Sequence, residues 1–144
     1  VRITDIAKEL GIDAVADGTI CDETDTHSGN GDGYTFVKIS FDNTCASVFE
    51  SAVDSNSNWK PLPLSCNLQE VVYGQGRRGP YLTDTQDNVL MPSIENGYWY
   101  FYDRYEGGGN HHDDCTILVR PSFNFTIAIY DKDEHFLYFC RYDT

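Results

Sequence analysis

The sequence predicts an α+β fold: one antiparallel sheet ending in a three-strand meander, with one or two helices packed on one face. Three observations lead there. Between residues 96 and 144, aromatic and β-branched residues crowd into runs at 97–105, 122–130 and 136–142, each bounded by Gly, Asp or Pro. Cys45, Val48, Phe49, Ala52 and Val53 recur at helical spacing over about three turns. At 144 residues and 40% hydrophobic content, the chain fits a single domain, 1–144, that buries roughly 70% of its unfolded surface.

Taken in order, Thr4 caps a short helix over 5–10, with Ile6 and Leu10 at i, i+4 and Gly11 as its stop. Residues 18–26 read as an edge strand, because after Ile20 neither side offers an apolar face. A Gly-rich tip at 27–33 returns the chain into a strand at 34–41, with Val37, Ile39 and Phe41 on one side. Asp42 or Thr44 caps the amphipathic helix. The Trp-Lys-Pro-Leu-Pro-Leu connector at 59–64 is extended, since its prolines forbid helix, and a second short helix follows at 67–73, closed by Gly74. From 75 to 92 turn chemistry dominates, with a short hairpin between Tyr81-Leu82 and Val89-Leu90.

In the meander, Phe123, Phe125, Ile127 and Ile129 form a wholly apolar face, whereas Ser122, Asn124, Thr126 and Ala128 form a mixed one. The first is core. A two-residue hairpin with Lys132 and Asp133 at its tip sets Ile129 opposite Phe136, Ile127 opposite Tyr138 and Phe125 opposite Cys140. On the preceding strand Trp99 and Phe101 share a face with Asp103, while Tyr98, Tyr100, Tyr102 and Arg104 share the other. Under the helix that carries Ala52, this Tyr stripe is core with its hydroxyls at the rim; uncovered, it is an aromatic patch of the kind enriched at interaction surfaces.

Charge is the strongest compositional signal. The chain carries 23 acidic against 10 basic residues, a formal net of −13, which repels nucleic-acid phosphates and anionic membranes and favours a basic protein partner. No window resembles a membrane span or a secretory signal, and the five cysteines show no Cys-x-x-Cys pair and lie mostly in apolar patterns, as reduced hydrophobes do. The expected compartment is a reducing cytoplasm. A glycosylation sequon at 124–126 falls inside the best strand and is not expected to be used.

The acidic segments carry the candidate chemistry. Ser28, Asn30 and Asp32 begin an EF-hand-like spacing, but Ile39 stands where the bidentate Glu is required, so the match fails. His27, His111 and His112, with Glu106 and Cys115 nearby, are weak metal candidates without a completing His-Glu-x-x-His or paired-Cys motif, and no cofactor is implied. Neither a nucleophile elbow nor a Walker loop is present; Arg77 and Arg78 belong to a solvated Gly-rich loop. The residues expected to meet a partner are Asp22, Glu23, Asp25, Asp32, Tyr98, Tyr100, Tyr102, Asp113 and Asp114.

In its Asn-Trp-Lys-Pro-Leu-Pro-Leu stretch at 58–64, in 94–104, in 123–131 and in its Tyr-Asp-Thr end, the chain resembles small acidic proteins of unassigned function from Gram-positive bacteria. The resemblance runs through most of the chain. It implies a bacterial cytosolic origin and brings no activity, cofactor or catalytic residue. The leading expectation is therefore a non-enzymatic, inhibitor- or immunity-like module for a basic protein. The alternatives are a nucleic-acid mimic that occupies a nuclease or anti-phage effector, and a small metal-dependent hydrolase using the His-bearing acidic loops.

Overall fold

Alternating apolar residues in the last third of the chain build the centre of a six-stranded antiparallel sheet. The structure is a computed structural model that describes residues 1–105 and 109–144. The strands are β1 (Thr19–Asp25), β2 (Gly33–Ser40), β3 (Trp59–Pro61), β4 (Gly97–Asp103), β5 (Asn124–Asp131) and β6 (Phe136–Asp143), in the order β1-β2-β6-β5-β4-β3. The meander β4-β5-β6 thus docks its last strand against β2, with Ile39 opposite Leu137 and Val37 opposite Phe139. The first hairpin and the meander become one sheet.

Three helices join them: α1 (Ile3–Leu10), α2 (Asn43–Asp54) and α3 (Cys66–Tyr73). Their ends follow local chemistry. Gly11 and Gly74 close α1 and α3 in the left-handed conformation, at φ 71° and 73°. Asp42 caps α2 by accepting from the Cys45 N–H at 2.7 Å, and Ser65 caps α3 by accepting from Leu68. Thr4, expected as a cap, lies inside α1, which begins one residue earlier without a side-chain cap. The expected contact between residues 81–82 and 89–90 is a short hairpin outside the main sheet, in which the Leu90 N–H donates to the Leu82 carbonyl at 3.2 Å, the Asp84 N–H donates to the Asn88 carbonyl at 2.9 Å, and Thr83 bridges Val89.

Both faces of the sheet are covered. On one, α1, α2 and the turn Asp13–Asp17 enclose Val37, Ile39, Ala128, Tyr130, Leu137 and Phe139. On the other, α3 and the segments carrying Leu82, Met91 and Ile117 enclose Phe36, Phe101, Phe125, Ile127 and Ile129. Residues Phe125 to Tyr130 of β5 are consequently all buried, so the face read as mixed is core as well.

The β5–β6 turn differs from the expected hairpin. Asp131 pairs with Phe136, and the Asp131 carboxylate accepts from the N–H groups of Asp133 and Glu134, while His135 adopts φ 59°. The loop therefore holds four residues rather than two. Ile129 faces Tyr138, Ile127 faces Cys140 and Phe125 faces Tyr142, a shift of two positions that leaves every side chain on its expected face.

The cysteines also depart from expectation. All five are free, but only Cys140 is buried; Cys21, Cys66 and Cys115 are exposed and Cys45 is half-buried. Cys21 is the extra residue of a bulge between Ile20 and Asp22, which also breaks the alternation along β1. Among the described residues no helix is long and apolar enough to cross a membrane.

Candidate functional site

The acidic hairpin is the most exposed part of the sheet. In β1 every residue except Ile20 is exposed, so Asp22, Glu23 and Asp25 project from both sides of an edge strand, and Asp32 stands exposed at the tip. The tip closes on itself: Ser28 donates to the Asn30 side-chain oxygen, which also accepts from the Asp32 N–H at 3.1 Å. These oxygens bond within the loop instead of converging on a cation.

His27 leaves the hairpin and faces the sheet. Its Nδ1 donates to Asp25 at 2.7 Å and its Nε2 to Asp143 at 2.8 Å, an arrangement that requires the protonated ring. Burial works against that charge, but the two carboxylates outweigh it and raise the His27 pKa above its ordinary value. From Asp143 the bonding continues. Arg104 donates to Asp143 at 2.5 Å and to the Thr126 hydroxyl at 2.6 Å, Thr126 donates to Glu9 at 2.5 Å, and Arg141 donates to Glu9 at 2.6 Å. This chain ties the hairpin, the meander and α1 together, and Thr126, the sequon residue, is fully buried within it.

The tyrosine stripe lies on the helical face. Tyr100 is buried, with its hydroxyl donating to the Glu9 carbonyl at 3.1 Å, and burial followed by the Glu9 charge pushes its pKa up to about 12. It is core, which removes it from the partner-binding set. Tyr98 and Tyr102 are half-buried at the rim, Tyr98 donating to Asp54 at 3.2 Å and Tyr102 stacking on His111 at 5.0 Å between centroids.

His111 and His112 serve the outer edge of β4 beyond the three residues of β3. The Asp103 N–H donates to the His111 carbonyl at 2.7 Å, and the rings donate from Nδ1 to the carbonyls of Asp103 and Phe101 at 2.6 and 2.9 Å. The loop thereby satisfies backbone groups that a longer β3 would have paired. Asp114 is spoken for too, accepting from Ser65 at 2.6 Å and from Asn67 at 3.3 Å, whereas Asp113 is exposed. The Asp113 hydrogen bond, with some burial, raises the Cys115 pKa, so that thiol is not activated.

Behind this loop lies a pair that the sequence signalled through Asp103 alone, a charge on the face of Trp99 and Phe101. Arg120 donates from Nη1 to Asp103, and the two side chains are only 5% and 11% exposed. They line a pocket of about 380 Å³ together with Tyr105, Asn110, His111, Asp113 and Cys115. Arg78, expected to be solvated, donates to the Leu118 carbonyl at 2.9 Å and lies 3.6 Å from Glu70.

The expected site residues therefore do not form one surface. β1 and β4 are four strand positions apart, about 19 Å at about 4.8 Å per spacing, which separates the β1 acids Asp22, Glu23 and Asp25 from the β4 edge that His111 and His112 serve, whereas His27 reaches inward to Asp143 of β6. Glu106 lies outside the described residues. Among the described residues no three ligating side chains come together to hold a metal. No family model matches the chain, and neither any curated protein nor any solved structure does.

Proposed function

We propose that this chain is an acidic, non-enzymatic binding module that captures a basic protein on its β1 edge, in the manner of an inhibitor or immunity protein of the bacterial cytosol. The observation that supports this reading is the exposure of Asp22, Glu23 and Asp25 along an edge strand, with Asp32 beside them, in a chain of net charge −13. Such a field steers a cationic partner to the edge and accelerates encounter. Tyr98 and Tyr102 stand on β4, four strand positions from β1, and are left out of the contact proposed for that edge.

The test is capture from bacterial lysate at low and high salt, identification of the retained protein, and titration of that protein against Asp22→Asn/Glu23→Gln/Asp32→Asn. Its affinity is expected to fall about tenfold in the triple variant, chiefly through association rate, and to stay unchanged in Asp113→Asn. Equal losses in both variants, or no basic protein retained at low salt, would overturn the reading. A retained nuclease that DNA displaces would favour nucleic-acid mimicry instead.

A further inference from the structure

We propose that Arg120 holds the carboxylate of a small molecule in the pocket between the end of β4 and the loop at 109–116. The guanidinium is anchored on one side only. Nη1 is taken by Asp103, whose other oxygen accepts from the Tyr105 N–H at 3.1 Å, and the Tyr105 ring lies over the guanidinium with Cζ 4.6 Å from its centroid. Nε and Nη2 are buried and meet no acceptor among the described residues. These two nitrogens form the side-on edge of the guanidinium, the fork that accepts a planar carboxylate through two parallel hydrogen bonds.

Leaving a buried cationic fork unpaired is unfavourable, and an incoming acceptor removes that cost. The pocket's volume of about 380 Å³ sits at the lower end of the roughly 300–1,000 Å³ of small-molecule sites. Its charge selects among anions: Asp103 and Asp113 flank the cation, so a monoanionic carboxylate is tolerated where a phosphate or sulfate dianion is repelled. Asn110, Thr116 and His111 supply polar groups around the remainder of the ligand. The fork itself is closed to water, so a ligand reaches it from the pocket only when a neighbouring side chain moves aside.

This inference stands apart from the β1 reading, since neither the pocket nor the hairpin contributes to the other. The experiment is titration of the whole chain with acetate and propionate, and separately with phosphate and sulfate, observed through the Arg120 Nε–H and the amides of Asp103, His111 and Cys115 by NMR. Saturable shifts with Kd on the order of 1 mM are expected for the carboxylates alone. Arg120→Lys, which loses the planar fork, should abolish them in a chain whose melt shows it folded. Asp113→Asn, at an exposed position, should tighten binding about two- to threefold by removing a repelling charge. Absent saturation, equal shifts with sulfate, retention in Arg120→Lys, or an unchanged Kd in Asp113→Asn would each overturn the proposal. Shifts seen only in Glu106→Gln would also overturn it, by assigning the fork to a carboxylate of this chain.

Discussion

His27 donates from both ring nitrogens to carboxylates, so folding favours its charged form and raises its pKa above 6.5. The linkage follows directly. The stabilisation is fully present below about pH 6.5 and is lost as pH rises through the higher folded value. Denaturant midpoints of the native chain and His27→Ala, measured from acid to alkaline pH, should lie furthest apart at the acid end of the native range and converge above the folded pKa. A gap that is constant with pH would mean that the ring acts through packing alone. Asp25 is the partner seen from the other side: the His27 N–H and ring lower its pKa, so its contribution persists above 3.8 and fades only in stronger acid. Single residues of this kind were partly legible. Asp103 stood out on an apolar face, whereas nothing local to His27 pointed to Asp143, which lies 116 positions away.

Among the elements, the junction of β4 and β5 is the most sterically demanding. A Cβ built on Gly97 would lie 1.7 Å from the Tyr130 carbonyl oxygen, where the two strands begin to pair. Backbone has no rotamer with which to yield. Gly97→Ala is expected to destabilise the chain by more than about 2 kcal/mol, and Gly29→Ala, with nothing within 4 Å of its Cβ, to stay within about 0.5 kcal/mol, both by chemical denaturation. Element types and helix stops were readable because capping and alternation are local effects. The four-residue β5–β6 loop was not, because the Asp131 carboxylate lengthened the turn while keeping parity, and parity is all that hydrophobic alternation specifies.

The whole molecule must hold a net charge of −13 on a chain of 144 residues. Six strands span about 24 Å, from five spacings of about 4.8 Å. At about 0.01 M salt the screening length is about 30 Å, longer than the sheet is wide, and at about 0.15 M it is about 8 Å. Self-repulsion therefore acts across the entire fold only at low salt. The thermal midpoint is expected to rise between these two concentrations, while capture of a basic partner weakens. A midpoint that falls would show that the Arg141–Glu9 and Arg104–Asp143 pairs outweigh the net charge. Packing at this scale is two-sided: Phe49 of α2 meets Phe41, Trp59 and Tyr130 on one face, while α3 closes over Phe101 and Phe125 on the other.

The sequence by itself determined the antiparallel α+β class, the meander, an α2 cap at Asp42 or Thr44, the glycine stops of α1 and α3, and the edge character of β1. Each depends on residues a few positions apart, where periodicity and backbone sterics act without knowledge of the rest. Only the tertiary structure decided that Tyr100 is covered, that both faces of β5 are core, and that His27 is bonded to Asp143 of β6. It alone placed the Arg120 fork behind Asp103. These outcomes depend on strand order and on which segment lies over which face, and residues far apart in sequence carry no local mark of either.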